Sequence, residues 1–122
     1  MLKVIIAGGR DFKDYHLLHE KCKKILFTNY SPSDLVILSG KEPRGADALG
    51  ERFAKQYGIK ILEFPPDWNK YGKAAGPIRN RQMAENANAL IAFDTSGRGT
   101  KNMIETANEL GLKVRVINCK GE

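Results

Sequence analysis

The chain has 122 residues, with 20 lysines and arginines against 14 aspartates and glutamates, a formal charge of +6, and 42% apolar residues. That length suits a single compact domain, 1–122, with a real core and no room for a second; no apolar run approaches the ~20 residues of a membrane span, which excludes a membrane partner and makes the cytoplasm the expected location. Two distant cysteines, Cys22 and Cys119, make neither a disulfide framework nor a metal knuckle and suit a reducing compartment, while the positive charge favours anionic partners and leaves nucleotide and nucleic acid both open.

In chain order, short apolar runs alternate with longer amphipathic ones. Strands are expected at residues 2–7, 35–39, 59–64, 89–93 and 113–118, each short and rich in β-branched residues, as strands covered on both faces should be. Helices are expected at about 14–28, 46–57, 77–87 and 101–110. Tyr15, Leu18, Cys22 and Ile25 in the first, and Ala46, Leu49, Phe53 and Tyr57 in the second, follow the three-four spacing of one buried face. Gly58 and Gly111 stand where helices should end and Pro77 where one should start. Five strands separated by four helices make an α/β fold, a five-stranded, mostly parallel open sheet between helices, with strand order 3-2-1-4-5. That order puts the ends of the first and fourth strands side by side, where open α/β sheets bind ligands.

The turns at the strand ends carry the chemistry. After the first strand come Gly8, Gly9 and Arg10, which serve either a ligand or tight helix-sheet packing. After the second come Gly40, Lys41, Glu42, Pro43, Arg44 and Gly45, whose glycines and two cations can face the same crevice. Asp47 then falls in a first helical turn, where the dipole favours a carboxylate with or without a ligand; in a functional role it accepts hydrogen bonds from a ribose hydroxyl or orients an arginine. Residues 65–76 form the longest connection, and a loop of that length in so small a domain is commonly functional. Its Trp68, the only tryptophan, either stacks on a base or pins the loop to the core. Arg79, Asn80 and Arg81 follow Pro77, and two arginines at a helix start oppose the dipole, which a bound anion would explain. Last, Ser96, Gly97, Arg98, Gly99 and Thr100 lie between a strand and a helix, where unpaired N–H groups and a partial positive charge receive anions. There the two glycines are expected at positive φ, Thr100 as the helix cap and Arg98 as a forked donor.

Taken together, Gly8-Gly9-Arg10, Ser39-Gly40 with Arg44-Gly45-Ala46-Asp47, Pro66-Asp67-Trp68 with Tyr71-Gly72, Ala75 to Arg81 with Met83, and Ser96 to Thr100 occur in one order over nearly the whole chain. The sequence thereby resembles the YspA/YpsA-related family of the SLOG superfamily, a Rossmann-like group that also holds the Smf/DprA proteins and the LOG-type enzymes. The resemblance implies a Rossmann-like three-layer sandwich and a nucleotide or nucleotide-derived ligand. The LOG branch removes a base from a nucleoside 5′-monophosphate, using an arginine ahead of a methionine on one helix and Pro-Gly-Gly-x-Gly-Thr-x-x-Glu. Arg79 and Met83 match the first by spacing, and Gly97, Gly99 and Thr100 the second, but Met103 holds the glutamate position. Cleaving an N-glycosidic bond builds positive charge on the sugar, which a carboxylate stabilises and a thioether does not. Glu105 points to another side of the helix, so Asp47 or Asp11 would have to take that role.

The expected function is therefore binding or sensing of a nucleotide-derived small molecule at the strand ends. The alternatives are a LOG-like phosphoribohydrolase, with Asp47 and Arg79 as its candidate catalytic residues, and a nucleic-acid-binding protein akin to Smf/DprA; a homodimer stays open. A helix start contributes ~0.3–2 kcal/mol and an arginine contact ~1.5–3 kcal/mol towards an anion, whereas micromolar binding needs about 8 kcal/mol. Phosphate alone is insufficient, so sugar and base contacts are expected as well. His16, His19 and Cys22 drift around their helix without a fourth ligand, so no metal and no cofactor is assigned. Lys21, Lys23 and Lys24 read as a solvated face.

Overall fold

Successive side chains of β1 (Leu2–Gly8) point to opposite faces, and both sets are apolar: Val4 and Ile6 on one side, Ile5 and Ala7 on the other, none more than 8% exposed. Such a strand needs a layer on each side. The computed structural model describes residues 1–120, leaving the last two residues of the expected domain outside, and in it both layers are present. β1 is the middle of a five-stranded sheet with β2 (Leu35–Ser39), β3 (Lys60–Glu63), β4 (Ala89–Asp94) and β5 (Lys113–Asn118), in the order β3-β2-β1-β4-β5. Every neighbouring pair is parallel, so the expected Rossmann-like order holds and the sheet is wholly parallel.

The helices are α1 (Tyr15–Leu26), α2 (Ala46–Gln56), the single turn α3 (Trp68–Tyr71), α4 (Ala75–Glu85) and α5 (Arg98–Glu109). Leu18, Cys22 and Leu26 of α1 and Phe53 and Ala54 of α2 pack on Val4, Ile6, Ile37 and Phe93. Met83 and Ala84 of α4 and Met103 and Ala107 of α5 pack on Ile5, Ala7, Val36, Leu38 and Leu90. The winding direction thus changes at β1, as a central first strand requires.

Three expectations need correction. The outer strands are not covered on both faces: β3 has no buried residue and Val116 of β5 is 46% exposed, because the helices centre over the three inner strands. Connection 65–76 is largely helical, since the Asp67 carboxylate caps α3 by accepting the Lys70 N–H at 3.0 Å and a 3-10 turn, Gly72–Ala74, leads into α4. Both site-bearing helices also start early, α4 at Ala75 and α5 at Arg98. The helix-ending glycines behave as expected, Gly58 and Gly111 taking φ of +66° and +79°.

Candidate functional site

Gly8 is the register partner of Phe93, so the turns after β1 and β4 leave the sheet together. Between them and α4 lies a cleft of about 480 Å³, within the ~300–1,000 Å³ range of small-molecule sites. Gly8, Gly9 and Arg10 form one wall, Gly97, Arg98, Gly99 and Thr100 the second, and Arg79 and Asn80 the third; Asp47 reaches in from α2 and Trp68 stands at the mouth. Gly40, Arg44, Gly45 and Ser96 are not among the lining residues.

Each of those four has another place. A side chain on Gly40 would enter the space of the Arg79 guanidinium and the Asp47 carboxylate, so Gly40 makes room for the site without touching its interior. Gly45 has φ +78° and abuts the backbone of Gly9 and Arg10, and the N–H of Ala46 donates to the Gly9 carbonyl at 3.2 Å. Arg44 is 71% exposed and lies 3.9 Å from Glu42. Ser96 turns the chain at φ +76°, its N–H donating to Asp94 Oδ1 at 2.8 Å. Gly8 also has a packing reason for lacking a side chain, since one would meet the Phe93 carbonyl and Ala46.

The start of α5 differs from the sequence expectation in an instructive way. Gly97 is the cap residue with an extended backbone at φ −76°, and it is Ser96 that takes the positive φ. Thr100, rather than capping, sits inside the first turn, 5% exposed, and its hydroxyl makes no hydrogen bond among the described residues. A Cβ on Gly97 or Gly99 would meet nothing within 4 Å, so both glycines border open space. Exposed Arg10, Lys73 and Arg98 line the same cleft, and among the described residues none has an ion-pair partner. Unpaired N–H groups at a helix start, a hydroxyl without a partner and three cations are groups that anionic oxygen can pair with.

The cleft also holds Glu42 and Asp47, and its Arg79 side is already hydrogen-bonded. Because α4 begins at Ala75, Arg79 lies in its second turn, so the dipole argument for an anion at Arg79 and Arg81 lapses. Arg81 pairs with Glu85 at 3.6 Å and Glu109 at 3.9 Å. Arg79 donates from Nη1 to the Gly40 carbonyl and from Nε to Asn80 Oδ1 at 2.9 Å. Asn80, 5% exposed, passes the chain on from Nδ2 to the Gly99 carbonyl at 3.3 Å and Asn102 Oδ1 at 3.0 Å, fixing α5 to α4. Burial lowers the Arg79 pKa from its ordinary value, with Asp47 and Glu42 acting the other way. Burial likewise pushes the Asp47 carboxyl up to about 6, opposed by its bond to the Glu42 N–H and by Arg79. Asp11 accepts the Thr95 hydroxyl at 2.8 Å and Glu105 is exposed, so neither lines the cleft.

Trp68 is 58% exposed rather than pinned to the core, an unusual cost for so large an apolar ring. Met83 and Met103, each at most 2% exposed, give the cleft an apolar floor, and Met103 occupies the position where the hydrolase pattern has glutamate. Lining residues that the sequence reading did not assign are Ala7, Glu42, Lys73, Gly76, Pro77 and Asn102, besides the two methionines. Two of them carried a signal: Met103 follows Thr100 by three positions and Met83 follows Arg79 by four, the same-face spacing of a helix.

The model of the YspA, cpYpsA-related SLOG family matches residues 2–71, the part that carries Arg10, Glu42, Asp47 and Trp68. A protein described as the Gene 61 protein of Mycobacterium phage D29 is 33% identical over 122 residues, spanning 93% of this chain and 94% of the phage protein, and so extends the likeness through α4 and α5.

Proposed function

This chain belongs to the YspA, cpYpsA-related SLOG family, and from that premise we propose that it binds a nucleotide or nucleotide-derived molecule, phosphate first, in the cleft at the ends of β1 and β4. The observation that carries the reading is the Thr100 hydroxyl at the start of α5, which has no hydrogen-bond partner among the described residues and stays open to the cleft that Arg10, Lys73 and Arg98 also line. A hydroxyl open to the cleft and committed to nothing in the fold can donate to a phosphate oxygen, a charge-assisted bond of about 1.5–3 kcal/mol. Three cations that line one cleft also repel one another until an anion arrives. Met83 and Met103 supply an apolar surface for a base or sugar, and the exposed Trp68 indole supplies a stacking face.

Binding or sensing fits this site better than hydrolysis. The sugar-stabilising carboxylate of the LOG pattern is replaced by Met103, and Asp47 is engaged by the Glu42 N–H. Nucleic-acid binding rests on the net charge and the kinship with Smf/DprA proteins, not on a feature of the cleft. The test is a thermal-shift panel of nucleoside mono-, di- and triphosphates, cyclic nucleotides and inorganic phosphate. Saturable stabilisation by a nucleotide, absent with inorganic phosphate and lost in Arg98→Ala, supports the reading. A flat response across the panel contradicts it, and release of free base that disappears in Asp47→Ala would move the protein to the hydrolase class.

A further inference from the structure

Resting on the nucleotide-binding reading of the cleft, we infer that Glu42 is a ribose-reading residue, so that the ligand is a ribonucleotide and not its 2′-deoxy counterpart. Glu42 follows β2 by three positions, and the end of the second strand is where Rossmann-type sheets commonly place the acid that accepts hydrogen bonds from a ribose diol.

Of the two carboxylates that line the cleft, Glu42 is the more open to a ligand. Asp47 is 8% exposed and its Oδ2 accepts the Glu42 backbone N–H at 3.1 Å. It is a positioning residue. The Glu42 side chain is 31% exposed and lines the cleft. Its one ion-pair neighbour among the described residues is Arg44, 3.9 Å from Oε1 and itself 71% exposed, a weak contact that leaves Oε2 uncommitted.

The backbone that presents Glu42 is held on both sides. Before it, Lys41 takes φ +62°, donates its N–H to Ser39 Oγ at 3.1 Å and places Nζ 3.2 Å from both Glu51 and Glu63. After it, Asp47 grips the Glu42 N–H from the first turn of α2. A carboxylate presented from a fixed backbone repels any anionic part of the ligand that comes near it and rewards hydroxyl donors. A vicinal diol offers two such donors, which both carboxylate oxygens can accept; a 2′-deoxyribose offers one.

The test is isothermal titration of wild type and Glu42→Ala with the four ribonucleoside 5′-monophosphates and their 2′-deoxy forms, with Arg98→Ala as a phosphate-end control. Glu42 is a partly exposed loop residue, and circular dichroism with a thermal melt verifies that its variant folds. Expected is a preference for ribose of tenfold or more in wild type, shrinking to within about twofold in Glu42→Ala while Arg98→Ala weakens both sugars alike. Equal affinity for the two sugars in wild type, with both lost in Arg98→Ala, overturns the assignment of Glu42 and leaves the cleft reading intact. No saturable binding of any nucleotide overturns both.

Discussion

Arg79 donates an Nη1 hydrogen bond to the Gly40 carbonyl, tying α4 to the loop after β2 across the end of the sheet. The bond exists because residue 40 has no side chain. A Cβ there would stand 2.8 Å from Arg79 Cζ and from Asp47 Oδ2, well inside contact distance. Gly40→Ala must therefore shift the guanidinium, the carboxylate or the loop, and overpacking of this kind costs about 1–3 kcal/mol. Urea unfolding should give a lower midpoint with an unchanged slope, accompanied by weaker nucleotide binding because the Arg79–Asn80–Gly99 chain starts from this bond.

Asp47 supplies a pH signature. Its carboxyl is raised from the ordinary 3.8 to about 6, chiefly by burial. The folded chain then holds this proton more tightly than the unfolded chain, so between those two values stability falls as pH rises. Below 3.8 the penalty is absent, and above about 6 it is complete, at about 3 kcal/mol. Asp47→Asn removes the titration, and the difference in unfolding free energy between wild type and variant should move in the variant's favour as pH goes from 4 to 7. A difference that stays level across that range would mean that Asp47 titrates normally in the fold.

Thr100 separates fold from function most simply. Its hydroxyl has no partner among the described residues although the residue is 5% exposed. Thr100→Val keeps the shape and removes a polar group that satisfies nothing in the fold, so stability should change by less than about 1 kcal/mol. A hydroxyl that meets a phosphate oxygen makes a charge-assisted bond of about 1.5–3 kcal/mol, so nucleotide affinity should fall about 10- to 100-fold. Calorimetry of melting and of binding on the same variant reads both numbers.

How much of this was legible in the sequence follows from what sets each feature. The apolar runs of β1, β2 and β4 are local, and with the intervening helical faces they determine strand order and the meeting of Gly8 with Phe93. The start of α5 is less readable, because Gly97 to Thr100 looks the same whether its glycines form a loop or open a first turn onto empty space. Which charge of the loop after β2 enters the cleft is not local at all. Arg44 points to solvent and Glu42 lines the site because Gly45 turns at φ +78° against Gly9 and Asp47 holds the Glu42 N–H, contacts that exist only once β1, β2 and α2 are assembled. Lys73 was hidden by the assumption of an irregular connection, which the Asp67 cap turns into helix.

Gly99 gives the complement to Gly40. An added side chain at Gly99 meets nothing within 4 Å, so Gly99→Val should fold with stability within about 0.5 kcal/mol of wild type, helped slightly by valine's better helix propensity. The new methyl groups would occupy the space assigned to phosphate. Saturable thermal stabilisation by nucleotide should vanish while the unliganded melting temperature holds, and retention of full affinity would place the ligand elsewhere.

The most direct test of the central claim is a crystal structure of the chain grown with the ribonucleotide that stabilises it best. Phosphate oxygens are expected within hydrogen-bond distance of the Gly99 and Thr100 backbone N–H groups and of Thr100 Oγ1, with an arginine, Arg10 or Arg98, closing over them. A nucleotide seated instead on the lysine face of α1, at Lys21, Lys23 and Lys24, with the cleft between β1 and β4 empty, would contradict it.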